Sequence, residues 1–126
     1  MSIAVGLDEL RAQIDACTTD AYLLTVSDDG RAHSVAVAVE WDGDQLVVPS
    51  GRTTRRNATA RSLVALLWPP PERGGYSLIV DATASLEGAS EAQRARLVPT
   101  RGVLHRPAAE GRASTAGCSA DCVPLR

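Results

Sequence analysis

The sequence contains no lysine and no phenylalanine, and it has only two tryptophans and two tyrosines. Without lysine no amine can form a Schiff base or shuttle a proton, which excludes pyridoxal-phosphate catalysis. Without phenylalanine, a chain that is 44% hydrophobic must fill its interior with Leu, Val and Ala, and so thin a core would be helped by an added interface. No apolar run approaches the roughly 20 residues that span a bilayer. The opening MSIAVGLDELRAQ turns acidic and amphipathic where a signal peptide stays apolar. The expectation is a cytoplasmic protein without a membrane partner. The three cysteines are an odd number, with Cys17 alone in a helical pattern, so a secreted disulfide framework is not expected. A formal charge of −2 gives no general attraction to nucleic acid, although a local basic patch can still act. A length of 126 residues suits one compact domain.

In GLDELRAQIDAC, Leu7, Leu10 and Ile14 recur at spacings of three and four behind early acidic residues. This predicts one amphipathic helix, packed as a lid on something flatter. AYLLTVSDDGRAHSVAVAVEWDGDQLVVPS holds three β-prone runs separated by the turn signals DDGR and DGD, which predicts an antiparallel meander. Along the second run Val35, Val37, Val39 and Trp41 share one face. Ser34, Ala36, Ala38 and Glu40 share the other, where small side chains leave room. SLVALLW predicts a buried strand closed by Pro69, Pro70 and Pro71, with a rigid exposed loop as far as Gly74 and Gly75. A long half-exposed strand follows from Tyr76 to Glu87, then a helical turn capped by Ser90 in SEAQRARL, then extended chain in LVPTRGVLH. The sum is six strands and one or two short helices. Their edges would be exposed unless they curl, so a small closed or partly closed barrel is predicted, with a β-sandwich as the alternative. Residues 1–107 form this domain, and 108–126, small, polar and without periodicity, form a flexible tail or one draped over a partner.

PSGRTTRRNATA crowds Arg52, Arg55 and Arg56 beside Thr53 and Thr54 where a short helix begins. Arginines in a first turn oppose the helix dipole at a cost of a few tenths to about 1 kcal/mol each, unless an anion docks there. Thr53 or Thr54 can cap free amides while keeping a hydroxyl on offer, and guanidinium forks match phosphate oxygens in pairs. The cluster has the parts of a phosphate cradle. Taken alone, a basic run is more simply a solvated face.

Taken in order, LLTVSDDGRAHSVAVAVEWDGDQLVVPS, the basic-hydroxyl turn leading to Asn57, SLVALLW, GGYSLIVDATASLEG and LVPTRGVLHRP resemble one family over about residues 5 to 107. It is the pyridoxamine 5'-phosphate oxidase-like family of split β-barrel flavin-binding proteins, with its deazaflavin-using relatives. The resemblance implies a mainly β fold, a six-stranded antiparallel split β-barrel of Greek-key type with one or two short helices. It also implies FMN or the deazaflavin F420 as cofactor, and a homodimer whose cofactor ring lies along the second strand at the interface. Carried onto this sequence, Arg52, Thr53, Thr54, Arg55, Arg56 and Asn57 are the phosphate-side residues. Backbone groups around Ser34, Val35 and Ala36 contact the ring, and Trp68 with the prolines after it forms a wall. The lysine usual in the family's phosphate turn stands here as Thr54 or is replaced by the neighbouring arginines. The long C-terminal extension that carries substrate contacts in true pyridoxamine-phosphate oxidases is missing, so that reaction is not implied.

Cys118 and Cys122, four apart in CSADC, have a spacing compatible with two metal ligands or a disulfide. His105 would be a third ligand and Asp121 or His33 a fourth; two ordinary thiols are the simpler account, and no metal is assigned. His33 and His105 are the only imidazoles, and neither adjoins a nucleophile motif, so a hydrolytic triad has no support. His33, just after a hairpin turn, reads as surface, and Asp81 reads as a cross-strand partner for Arg101. No catalytic residue is assigned. Two functions remain open. One is an oxidoreductase passing hydride between a reduced ring and a small conjugated substrate or nicotinamide. The other is a non-catalytic flavin, deazaflavin or haem binder on the same barrel. A nucleic-acid module would need an aromatic platform that the chain lacks.

Overall fold

The computed structural model describes residues 1–88 and 93–108. The chain begins with β1 (Ser2–Val5), α1 (Leu10–Asp15), β2 (Ala21–Val26) and β3 (Ala32–Val37). It continues through β4 (Glu40–Asp42), β5 (Gln45–Pro49) and α2 (Arg52–Ala60), and ends in β6 (Leu63–Trp68), β7 (Ser77–Glu87) and β8 (Arg94–His105). The strands make one sheet in the order β3-β2-β6-β7-β8-β5-β4, with β1 added on β8. All of its pairings are antiparallel. The first and last strands of that order, β3 and β4, are consecutive in the chain and separated only by Ala38 and Val39. So short a link brings the two ends of the sheet together, and the sheet curls into a half-barrel.

The barrel expectation therefore stands, with eight strands in place of six among the described residues. The anticipated meander is instead two hairpins. The long second run stops at Val37, and β4 turns away with β5 to join β8. Gly30 and Gly43 sit at positive φ in the two hairpin turns, where a side chain would be strained. β1 carries no pattern in the sequence, because it is only four residues long and three of them are exposed. The second edge of β8 is shared. β5 pairs with Arg94–Leu97 and β1 with Gly102–His105, while Pro99, which has no N–H to give, falls in the stretch between. The helical turn expected in SEAQRARL is not seen where it can be checked: Arg94–Leu97 is strand, and Ser90 lies outside the described residues.

Alternation along the strands builds the core. Leu23, Leu66, Val80 and Leu97 point inward and are fully buried, each contributing about 1.5–3 kcal/mol of transfer free energy. Leu10 and Ile14 of α1 join the same core, whereas Leu7 precedes the helix and is 57% exposed, so it is not on the buried stripe. The opposite face is mixed, with polar positions such as Ser34, Asp81 and Thr83, but one row across it is apolar. Ala36, Tyr22, Leu67, Ile79, Val103 and Ala4 follow one another across successive ladders. Tyr22 is 42% and Leu63 75% exposed on this outer face. Asp81 stands directly across from Arg101 there, as expected.

Candidate functional site

The turn from β5 into α2 is made by Ser50 and Gly51. Gly51 is the helix N-cap in extended conformation, with φ −82 and ψ 179, and no side chain caps the helix. Capping by Thr53 or Thr54 therefore does not occur; both lie inside the first turn, Thr54 buried and Thr53 half-buried. The first helical bond runs from Arg55 N to Gly51 O at 2.9 Å. The amides of Arg52, Thr53 and Thr54 thus have no carbonyl one turn back to bond, and they carry the positive end of the helix dipole.

Those residues open onto a cavity of about 550 Å³. One wall is β3, through His33, Val35, Ala36 and Val37; the other is Pro49 to Thr54, with Gln93 at the rim. β3 ends the sheet order, so one of its backbone edges has no strand partner in the ladder. Arg52 lines the cavity and is exposed; Arg56, one turn further on, is exposed and does not line it.

The structure divides the residues singled out from the sequence. Arg52, Thr53, Thr54, Val35 and Ala36 come together around the cavity. Arg55 points elsewhere: its guanidinium donates to Ser50 Oγ at 2.8 Å, to the carbonyls of Glu87 and Arg94 at 3.2 Å each, and to that of Gly88 at 3.5 Å. Asn57 is 1% exposed and donates through Nδ2 to Thr25 Oγ1 at 3.0 Å, tying α2 to β2. Ser34 lies in β3 but its exposed side chain belongs to the outer face. Trp68, 4% exposed, lines a separate apolar cavity of about 340 Å³ with Cys17, Pro69, Pro71 and Tyr76, away from Arg52. Burial there raises the Cys17 thiol pKa above its ordinary value.

Contrary to the surface position that its place after a hairpin turn suggests, His33 lies in the cavity wall with Nδ1 buried and unpartnered. The signal was available: the period of two that sets Val35 and Val37 inward also sets His33 inward. His105 Nδ1 lies 3.1 Å from Ser2 Oγ. Among the described residues no group of three His, Cys, Asp or Glu is placed to hold a metal, and Cys118, Asp121 and Cys122 fall outside them. No described helix is long and apolar enough to cross a membrane.

No family model matches the chain. Uncharacterized proteins of Mycobacterium bovis and Mycobacterium tuberculosis are each 44% identical to it over 117 residues, covering 82% of this chain and 82% of theirs. Among solved structures, an FAD-binding protein of Mycobacterium smegmatis superposes with a TM-score of 0.59 at 14% identity, over 84% of this chain and 100% of that one. An F420 reductase gives 0.55 at 20% identity, over 67% and 88%. A protein of Listeria innocua described as a candidate pyridoxamine 5'-phosphate oxidase gives 0.63 at 19% identity, over 76% and 94%.

Proposed function

We propose that this chain, which belongs to the same family as the two mycobacterial proteins and has the fold of the pyridoxamine 5'-phosphate oxidase-like flavin-binding proteins, is an oxidoreductase dependent on FMN or the deazaflavin F420. The observation that carries the reading is the uncapped α2 N-terminus, whose amides open into a cavity walled on its far side by the edge strand β3. Free amides at the positive end of a helix suit a phosphate monoester or diester. An edge strand suits the carbonyl and imide groups of a flavin-like ring, because its backbone donors and acceptors alternate.

The residues fit such a cofactor. Arg52 and the amides of Arg52, Thr53 and Thr54 would hold the phosphate, with the half-buried Thr53 hydroxyl beside them. Val35 and Val37 give the ring an apolar bed that excludes water, and Ala36, its side chain turned to the outer face, would border the ring through the β3 backbone. When bound, the ring supplies the hydride chemistry, toward a small conjugated substrate or a nicotinamide. The protein's part is orientation and exclusion of solvent. A homodimer completes this reading: the apolar row running across the outer face from Ala36 to Val103 is the kind of surface that a second copy covers.

A second reading shares the same site: a protein that stores or senses a flavin, deazaflavin or haem without turning it over, since the parts that hold the ring are the same for both. Titration with FMN and with F420, followed by ring fluorescence, tests the common part. A micromolar dissociation constant for either supports the site, and no binding of either overturns it. Reduction of the bound ring by a nicotinamide donor, followed by reoxidation, then separates the enzyme from the binder.

A further inference from the structure

His33 lies in the cavity wall, in line with Val35 and Val37, and has no role in the phosphate and ring contacts above. Its Nδ1 is closed off from solvent and has no hydrogen-bond partner. Across the β2–β3 ladder it faces Thr25, a buried residue whose hydroxyl accepts from Asn57 Nδ2 at 3.0 Å. Asn57 itself is buried with Oδ1 unpaired. Two orphaned polar atoms thus belong to residues grouped around Thr25, on the strands and helix that border the cavity. Buried nitrogen and oxygen atoms nearly always have a partner, so an orphan marks a group whose partner the chain itself does not supply. His33 also lines the cavity, from which Nδ1 itself is shut off in this ring orientation.

We propose that His33 anchors the anionic group of the bound cofactor, completing a cradle whose other parts are the α2 amides and Arg52. This rests on the reading that the cavity takes a phosphate-bearing ring. Arg55 is not part of that cradle, since its guanidinium is spent on Ser50 and three carbonyls. A half-turn of the ring about χ2 exchanges its two edges without changing its outline, so a nitrogen can be presented to the ligand within the same space.

His33 and His105 are the only imidazoles in the chain, so the ring nitrogens can be followed individually by NMR of ¹⁵N-labelled protein. Inorganic phosphate and FMN should shift the His33 ring resonances, while riboflavin, which lacks the phosphate, should leave them in place. His33→Leu should lower FMN affinity by about ten-fold, the scale of one charge-assisted hydrogen bond, with riboflavin affinity unchanged. His33→Gln, which keeps a donor, should recover part of the loss. An unmoved His33 ring under phosphate and FMN overturns the proposal, as does an FMN-to-riboflavin preference that survives His33→Leu. If His33→Leu does not fold, the ring shifts and the His33→Gln preference decide. Wild type that binds neither FMN nor F420 while phosphate shifts His33 overturns the cofactor reading and keeps the anion site. FMN binding with a silent His33 does the reverse.

Discussion

Arg55 donates to Ser50 Oγ at 2.8 Å, and through that contact the first turn of α2 is locked to the turn that precedes it. The same guanidinium reaches the carbonyls of Glu87, Gly88 and Arg94, so one side chain ties α2 to both strands of the β7–β8 pair. Ser50 N also donates to Gln93 O at 3.0 Å, which brings the cavity rim into the same network. Arg55→Ala should cost about 1.5–3 kcal/mol of folding stability, the range for hydrogen bonds to a charged group. Arg55→Lys should recover less than half, because an ammonium cannot fork to several carbonyls. Urea denaturation measures both. Stability equal to wild type in Arg55→Ala would return Arg55 to the list of ligand contacts.

Arg52 should behave in the opposite way. It is exposed at the helix N-terminus, where its charge opposes the dipole, so Arg52→Ala should leave stability unchanged or raise it by a few tenths of a kcal/mol. Its loss should weaken FMN about ten-fold and flatten the salt dependence of binding, while Arg56→Ala, outside the cavity, should change affinity far less. Titrations at two salt concentrations check the pair. Equal effects of the two substitutions would mean that only general charge matters.

The outer face makes its own prediction. Tyr22, Val26 and Leu63 are 42%, 40% and 75% exposed, and Tyr22 lies in the apolar row that runs through Ala36, Leu67, Ile79 and Val103. Sedimentation at micromolar concentration should give twice the chain mass, and Leu63→Arg or Tyr22→Asp should shift the protein toward monomer. A monomeric wild type would remove the dimer from the proposed function. Since Tyr22 pairs with Ala36 of β3, Tyr22→Asp should also weaken the cofactor site.

Strand periodicity is a local signal, and where it runs long enough the fold can be read from it: the bounds of β7 are legible to within one residue because its inward positions from Leu78 to Ala84 are all apolar. Those of β1 are not, since a strand of four residues with one buried position carries no period. The site is half readable. The Arg-Thr turn announces a helix start, but which arginine faces the cavity depends on the helix phase fixed by Thr54, Asn57 and Ala58 packing inward, and the three carbonyls that help capture Arg55 lie over thirty residues away. Trp68 lies in the core because its phase on β6 turns it inward, which a wall-forming role read from the sequence alone does not reveal.

Cys17 is a half-buried thiol that donates to Gln13 O at 3.3 Å beside the apolar cavity of Trp68 and Pro69. Burial holds its pKa above the ordinary thiol value, because the thiolate would be poorly solvated there. Near pH 8 iodoacetamide should therefore label the Cys17 peptide more slowly than the same peptide in the urea-unfolded chain, and the rise in rate should come at higher pH. The same shift sets a sign for stability. The unfolded chain loses the thiol proton first as pH rises, so the contribution of Cys17 is whole below about 8.5, the range of a free thiol, and is lost as pH climbs through the folded value. Wild type should then lose stability between pH 8 and 10 more steeply than Cys17→Ala, as urea midpoints would record. Labelling at the speed of an exposed thiol would show that the side chain is solvated, and both expectations would fail together.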